Sequence, residues 1–131
     1  MNQSIKNKSI LVTGGTGSFG KKFVEFALKE LSPKKLVIFS RDEFKQFDMA
    51  SRFSEEDNPC IRYFIGDVRD RNRLIRAFSG IDIVIHAAAM KQIVASEYNP
   101  TECIATNVLG AQNVIDAAIE NGVEKVLALS T

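Results

Sequence analysis

The stretch that decides the fold runs from residue 9 to residue 20 and reads Ser9-Ile10-Leu11-Val12-Thr13-Gly14-Gly15-Thr16-Gly17-Ser18-Phe19-Gly20. A short apolar run of strand-forming residues leads into three glycines at intervals of three, Gly14, Gly17 and Gly20, and an amphipathic pattern follows. This order predicts a strand, a tight turn and the start of a helix. A dinucleotide pyrophosphate can bind such a turn because its oxygens approach bare backbone and the positive end of a helix dipole. The stretch therefore predicts nucleotide binding, and the alternative is a purely structural turn.

The composition predicts one ordinary globular domain. The chain has 131 residues, of which 45% are hydrophobic and 25% are charged, and its formal net charge is +1. That length can bury a real core. A near-neutral charge provides no electrostatic footprint for nucleic acid or an anionic membrane. No apolar run approaches the roughly 20 residues of a membrane span, and the polar start lacks a secretory signal. We therefore expect a cytoplasmic protein.

The cysteines and the histidine do not form a metal-binding pattern. Cys60 and Cys103 lie far apart and form no C-x-x-C, and His86 is the only histidine. A structural zinc site needs about four such ligands at short spacings. We expect no metal and two free thiols, with a disulfide as the alternative.

Strand and helix patterns alternate along the rest of the chain. Strands are predicted at 35–40, 61–65, 81–87 and 125–129, and helices at 19–31, 42–53, 70–78 and from an N-cap at Asn99 to about 121. Alternation of this kind predicts a parallel sheet with helices on both faces. Right-handed crossovers then place the first strand centrally, in the order 3-2-1-4-5. The chain is predicted to be a doubly wound α/β domain.

Apolar residues at helical spacing predict which face of each helix is buried. In the first helix these are Val24, Ala27, Leu28 and Leu31; in the second, Phe44, Phe47 and either Met49 or Ala50; in the last, Ile104, Val108, Ala111, Ile115 and Ala118.

The second strand ends in Ser40-Arg41-Asp42, and Lys45 follows one turn into the next helix. An acidic residue at this point typically binds the ribose 2′-hydroxyl of NAD, whereas an arginine pairs with the 2′-phosphate of NADP. Two converging cations favour NADP. The alternative is that Arg41 and Lys45 are exposed and pair with Asp42 or Asp48.

The third and fourth strands end in residues suited to the rest of a dinucleotide. Asp67 can accept from the adenine amino group while Val68 packs on the ring; the alternative is a helix cap, for which Asp70 is better placed. After His86, a run of alanines (residues 87–89) lets a cofactor approach the backbone. His86 itself is expected to be a hydrogen-bonded core residue rather than a catalytic base. Asn107, on the flank of the last helix, either orients groups at this site or is exposed.

At these residues the sequence resembles the extended short-chain dehydrogenases/reductases. Further signatures narrow the resemblance: Ser40-Arg41-Asp42-Glu43 with Lys45-Gln46, Ile65-Gly66-Asp67-Val68-Arg69-Asp70, and His86-Ala87-Ala88-Ala89-Met90-Lys91-Gln92 with Glu97-Tyr98-Asn99-Pro100. Together they are similar to the inverting UDP-N-acetylglucosamine 4,6-dehydratases of bacterial surface-polysaccharide and flagellin-glycan synthesis. The resemblance covers residues 9–131 and implies a Rossmann domain with resident NADP.

The resemblance also implies a reaction and roles for individual residues. In that family a hydride leaves C4 of the sugar, water is eliminated across C5 and C6, and the hydride returns to C6 with inversion at C5. Lys91 and Glu97 would contact the sugar, and Thr131 would contact the reacting centre. Separately from the resemblance, exposed apolar sheet edge and helix faces lead us to expect a homo-oligomer. The residues that would hold or support the cofactor are Gly14, Thr16, Gly17, Ser18, Phe19, Gly20, Ser40, Arg41, Lys45, Asp67, Val68, Ala87, Ala88, Ala89 and Asn107.

The sequence departs from the family pattern in its catalytic residues. Family members have an Asp-Lys pair directly after the position of Thr131 and a Tyr-x-x-x-Lys pair soon after it, in which tyrosine is the acid/base. Here Tyr63 and Tyr98 have no lysine four residues later, and Ile93-Val94 stands where many relatives have a proline. We therefore expect no turnover by these 131 residues alone. A stand-alone NADP(H)-binding module and part of a sugar-nucleotide epimerase or reductase are the alternative hypotheses.

Overall fold

A five-stranded parallel sheet forms the centre of the structure, a computed structural model that describes residues 5–87 and 100–128, with the backbone alone over 100–108. The strands are β1 (Ser9–Thr13), β2 (Lys35–Ser40), β3 (Ile61–Ile65), β4 (Ile83–His86) and β5 (Lys125–Ala128). Their order is β3-β2-β1-β4-β5 and every neighbouring pair is parallel. The predicted topology is confirmed. All five residues of β1 are buried, as a central strand with covered faces requires.

Helices cover both faces of this sheet. They are α1 (Ser18–Phe26), which continues as a π-helical turn (Ala27–Leu31), α2 (Glu43–Arg52), α3 (Arg71–Ala77) and α4 (Pro100–Asn121). Side chains of α1 and α2 share one buried cluster with alternate residues of β1, and side chains of α3 and α4 share the other. Alternation along β1 assigns Ile10 and Val12 to the first cluster and Leu11 to the second, because successive strand residues face opposite ways.

The predicted buried face of α1 is confirmed. Val24, Ala27 and Leu31 are buried and Leu28 packs against the same cluster. The helix ends at Leu31, as predicted, and the following Ser32 adopts a left-handed φ of 47° directly before Pro33.

The predicted buried face of α2 is wrong for its two phenylalanines. Phe44 is 86% exposed and Phe47 is 79% exposed, whereas Gln46 and Met49 are buried. The rotation of this helix is set by a polar contact: the Gln46 side-chain amide donates to the backbone oxygens of Ser40 at 3.2 Å and of Phe64 at 3.0 Å. A prediction from hydrophobicity alone places Phe44 and Phe47 in the core, because it does not take into account the hydrogen bonds of a buried amide.

The predicted buried stripe of α4 is also partly wrong. Ala118 is buried as predicted, but Ile115 is 47% exposed and Ala111 is only partly buried, and the side chains of Ile104 and Val108 lie outside the described residues. The buried positions follow helical spacing through a glycine and an asparagine: Gly110, Asn113, Val114, Ala117 and Ala118. Gly110 allows α4 to approach Val68 closely, since a Cβ at this position would lie 2.9 Å from Val68 Cγ2. Asn113 is buried at the same contact, where its Nδ2 donates to Val68 O at 3.0 Å.

Three further observations concern the thiols, possible metal ligands and possible membrane-spanning helices. Cys60 has a free thiol, and the Cys103 side chain lies outside the described residues. Among the side chains described, no group of histidine, cysteine and acidic residues could hold a metal ion. No helix within the described ranges is long and apolar enough to cross a membrane.

Candidate cofactor site

The turn after β1 requires glycine for conformational reasons. Gly14 has a φ of 65°, which strongly favours glycine, and its carbonyl accepts the N–H of Gly17 at 3.1 Å. The Gly15 N–H donates to Phe39 O at 3.3 Å, which anchors the turn to the end of β2. The first predicted glycine therefore reverses the chain directly beside the carboxyl end of the sheet.

The third predicted glycine brings α1 against this turn. A Cβ on Gly20 would lie 2.3 Å from Gly15 O and 2.5 Å from Gly15 Cα. Backbone atoms in the turn cannot move aside as a flexible side chain can. A Cβ on Gly15 would in turn meet Ile38 Cγ2 at 2.7 Å. The cradle is thus made of bare backbone, and side chains of ordinary residues would fill it.

The N-terminus of α1 differs from those of α2 and α3 in having no side-chain cap. Gly17 occupies the N-cap position and no acidic residue lies in the first turn. In contrast, Asp42 accepts Lys45 N at 3.0 Å at the start of α2, and Asp70 accepts Arg73 N at 3.1 Å at the start of α3. The first N–H groups of a helix have no partner within it. At α1 they carry the positive end of the dipole and are not covered by a side-chain oxygen at the cap, which is the arrangement that binds phosphate.

The predicted phosphate-binding residues are in different environments. Thr16 is buried, with 3% of its surface exposed, whereas Ser18 is exposed at the first position of α1. Phe19 is half-buried and stacks on Phe23, with 6.1 Å between ring centroids. Of the two hydroxyl residues, Ser18 is the one open to solvent beside the helix N-terminus.

The end of β2 places one cation beside the end of β3. Ser40 is buried and its Oγ accepts the Gln46 side-chain amide at 3.2 Å, so Ser40 supports the turn. The Arg41 side chain is 64% exposed, and its Nη1 lies 3.8 Å from Asp67 Oδ2. Arg41 therefore has Asp67 as its ion partner rather than Asp42 or Asp48. Lys45 is exposed in the first turn of α2.

The carboxylate of Asp67 is held by the backbone and side chain of Arg69. Asp67 Oδ1 accepts Arg69 N at 2.9 Å, and Oδ2 accepts Arg69 Nη2 at 2.8 Å. The adjacent guanidinium holds the pKa of the Asp67 carboxyl below its ordinary value. Asp70, not Asp67, caps α3, which leaves Asp67 at the strand end. Val68 is fixed next to it by the contacts from α4.

The end of β4 is joined to the end of β1 through a buried polar contact. Thr13 Oγ1 lies 2.7 Å from His86 Nδ1 and accepts the N–H of Ala87 at 3.1 Å. Both Thr13 and His86 are buried, and burial lowers the pKa of His86. The prediction that His86 is a hydrogen-bonded core residue is confirmed. Ala87 is buried directly beyond it.

The structure brings the carboxyl ends of β1, β2, β3 and β4 to one edge, and only part of the predicted site lies within the described residues. Thr13 is in register with Phe39 and with His86, and Ser40 with Ile65. Outside the description lie Ala88, Ala89, Lys91, Glu97 and Thr131, together with the side chain of Asn107.

Sequence reasoning assigned no role to three polar residues that shape this edge: Gln46, Arg69 and Asn113. The available signal was their position. Arg69 stands two residues after the strand-end aspartate, whereas Gln46 and Asn113 lie off the apolar stripes that the sequence predicts.

Comparison with known families gives one match over nearly the whole chain. Residues 10–131 match the family described as polysaccharide biosynthesis protein. An inverting UDP-N-acetylglucosamine 4,6-dehydratase of Campylobacter jejuni is 61% identical over 124 residues, which are 95% of this chain and 36% of that protein. A UDP-glucose 4-epimerase of Rickettsia akari is 48% identical over 128 residues, which are 95% of this chain and 37% of that protein. The chain thus spans little more than a third of the length of these relatives.

Solved structures agree with the fold. Pen from Bacillus thuringiensis superposes with a TM-score of 0.86 at 45% identity, over 95% of this chain and 38% of that one. DesIV, a dTDP-glucose 4,6-dehydratase of Streptomyces venezuelae, superposes with a TM-score of 0.74 at 28% identity, over 89% of this chain and 37% of that one; its structure contains bound NAD. Dinucleotide binding therefore occurs in proteins that share this arrangement of strands and helices.

Proposed function

Because the chain belongs to the polysaccharide biosynthesis protein family, we propose that its residues form the NADP-binding part of a nucleotide-sugar 4,6-dehydratase. The proposed substrate is UDP-N-acetylglucosamine and the proposed outcome is inversion at C5, in surface-polysaccharide or flagellin-glycan synthesis. The identity to the Campylobacter jejuni enzyme supports this choice of substrate. A cytoplasmic location and a homo-oligomeric state remain predictions.

The observation that carries the proposal is the N-terminus of α1 over a glycine cradle. Gly17 supplies no capping oxygen, and Gly20 lets the helix approach the turn at a distance that a Cβ would prevent. A diphosphate fits both features, since it needs N–H donors and close contact with backbone. A purely structural turn needs the tight geometry but gains nothing from a helix N-terminus without a side-chain cap.

The choice of NADP rests on Arg41. Its guanidinium is mostly exposed, and its ion contact among the described side chains is with Asp67 at 3.8 Å, so it can bind a second anion without breaking that contact's weak geometry. A planar guanidinium suits a phosphate because it donates two parallel hydrogen bonds. Lys45, exposed one turn further on, adds a second cation. Asp67 would accept a hydrogen bond from the adenine amino group, and Val68 would pack on the adenine ring.

The remaining roles concern the reacting end of the site. When bound, NADP would accept a hydride from C4 of the sugar and return one to C6. Thr13 and His86 would hold the end of β4 in place, so that Ala87, Ala88 and Ala89 let the cofactor approach the backbone. Asn107 would support this region, Lys91 and Glu97 would contact the sugar, and Thr131 would contact the reacting centre. We propose that the 131 residues alone bind the cofactor without turning over substrate.

A crystal structure of the chain with NADP tests this proposal. The expected result is a diphosphate on the N-terminus of α1 and the 2′-phosphate within hydrogen-bond distance of Arg41. A glycine cradle that stays empty at saturating NADP would contradict it. So would a cofactor bound at another edge of the sheet.

A second candidate reaction is 4-epimerisation of a UDP-sugar. The 48% identity to the Rickettsia akari epimerase favours it, although the Campylobacter dehydratase is more similar. An active protein that carries these residues should convert UDP-N-acetylglucosamine into a 4-keto-6-deoxy product if it is a dehydratase. Formation of the 4-epimer with no loss of water would identify an epimerase.

A further inference from the structure

In the described part of the chain, two guanidinium groups contact the Asp67 carboxylate, and these contacts are unequal. Arg69 donates from Nη2 to Oδ2 at 2.8 Å, from Nε to both oxygens at 3.2 Å, and from its backbone N–H to Oδ1 at 2.9 Å. Arg41 Nη1 reaches only to 3.8 Å from Oδ2, which is beyond a hydrogen bond. Arg69 is therefore the principal partner of Asp67, and Arg41 is a marginal one.

This inequality matters because Arg41 is the group proposed to bind the 2′-phosphate. A carboxylate has about four acceptor positions. Three N–H groups of Arg69 (Nη2, Nε shared between both oxygens, and the backbone N) occupy those that face Arg69, which leaves an acceptor position for the adenine amino group. Of the cations whose side chains the structure describes, Arg41 would be the nearest to Asp67 without Arg69. A guanidinium paired bidentately with Asp67 would have fewer donors to offer a phosphate.

The Asp67–Arg69 contact is well suited to this task because it is local. The two residues are two positions apart, and one of the contacts closes a turn through the backbone of Arg69. Little conformational freedom is lost when the side chains meet, so the pair can form before any ligand binds. Both guanidinium groups remain half exposed or more, at 51% for Arg69 and 64% for Arg41.

We propose that Arg69 is a positioning residue that sets the preference for NADP over NAD by occupying Asp67 and leaving Arg41 available to the 2′-phosphate. The inference rests on the proposed function, because it concerns the same cofactor site. It differs from a direct role in which the positive charge of Arg69 itself attracts the phosphate. The two roles are separable, because only the positioning role depends on the carboxylate of Asp67.

A double-mutant cycle measured by calorimetry separates them. NADP and NAD are titrated at low salt, where screening is weak, into the wild-type chain, Arg69→Gln, Asp67→Asn and the double variant. Arg69→Gln should lower the NADP/NAD affinity ratio by about tenfold. In the Asp67→Asn background the same change should alter the ratio by less than about twofold, because no carboxylate is left to attract Arg41.

Two further variants serve as controls. Arg71→Gln removes an equal charge from an exposed side chain that contacts Asp116 at 3.5 Å rather than Asp67, and it should leave the affinity ratio unchanged. Arg69→Lys keeps the charge but cannot form the bidentate contact, so it should also lower the ratio. Circular dichroism and thermal unfolding establish that each variant is folded.

The outcomes distinguish this inference from the proposed function. Wild-type chain that binds neither dinucleotide contradicts the proposed function and the inference together. Wild-type chain that prefers NADP, with the same preference in Arg69→Gln, overturns the inference alone. If Arg69→Gln lowers the NADP/NAD affinity ratio equally in the wild-type and Asp67→Asn backgrounds, the inference is also overturned. That result assigns Arg69 a direct electrostatic role.

Discussion

Thr13 Oγ1 lies 2.7 Å from Nδ1 of His86, and the two residues are in register on neighbouring strands. The same hydroxyl oxygen accepts the N–H of Ala87, so one side chain fixes both the last residue of β4 and the first residue after it. Thr13 is also the residue immediately before the glycine turn. The contact therefore ties the proposed phosphate cradle to the neighbouring strand end.

Stability should depend on pH through His86. Burial lowers its pKa in the folded chain, while the unfolded chain titrates near about 6.5. Below that pH the unfolded state binds a proton that the folded state does not, so the free energy of unfolding should fall as pH drops from about 7.5 to about 5.5. Urea denaturation at both pH values measures the effect. His86→Asn should lose this part of the pH dependence, and an unchanged dependence in that variant would refute the assignment.

Gly20→Ala should disrupt both folding and cofactor binding. Its Cβ would lie 2.3 Å from Gly15 O, and overpacking of this kind costs about 1–3 kcal/mol of stability. Because α1 must move away from the turn, NADP affinity should fall as well. Chemical denaturation and calorimetry give the two readouts.

Gly80→Ala is the matched control for that prediction. A Cβ there meets nothing within 4 Å, although the φ of 73° makes alanine unfavourable by about 1–2 kcal/mol. It should lower stability without changing NADP affinity at a temperature where the chain stays folded. A Gly20→Ala variant that binds NADP as tightly as this control would contradict the role given to Gly20.

The faces of α2 can be distinguished by two substitutions. Met49 is buried, so Met49→Ala should cost about 2–5 kcal/mol of unfolding free energy. Phe47 is 79% exposed, so Phe47→Ser should change stability by no more than about 0.5 kcal/mol. Urea denaturation of both variants tests the helix rotation. A larger loss of stability in Phe47→Ser than in Met49→Ala would instead support the helix rotation that hydrophobicity predicts.

Arg41→Ala should weaken NADP binding selectively. Loss of a charge-assisted hydrogen bond of about 1.5–3 kcal/mol corresponds to roughly ten- to a hundredfold in affinity. NAD has no 2′-phosphate, so its affinity should change little. Arg52→Ala is the control, because Arg52 pairs with Glu25 at 3.2 Å from the last turn of α2. Equal losses for both dinucleotides would exclude a specific contact between Arg41 and the phosphate.

The strand order and the glycine turn could be predicted because they depend on local patterns. Buried strands read as apolar runs, Pro33 follows the end of a helix, Gly14 has a φ that favours glycine, and Gly20 stands where a Cβ would contact the turn. The handedness rule for parallel crossovers then leaves few topologies. The strand order and the glycine turn could therefore be predicted from residue types and their spacing along the chain.

The rotations of α2 and α4 could not be predicted from hydrophobicity. Gln46 and Asn113 are buried because each donates to a backbone oxygen of a residue distant in sequence: Phe64, 18 residues from Gln46, and Val68, 45 residues from Asn113. The role of Arg69 was missed for a related reason. A run of charges predicts a solvated surface, and only the folded turn shows that one of these side chains closes on Asp67.

Parallel calorimetric titration of the wild-type chain with NADP and NAD tests the central claim most directly. We expect saturable binding of NADP at one site per chain, with NAD bound more weakly under the same conditions. Absence of saturable binding by either dinucleotide, in a chain shown to be folded, would contradict it.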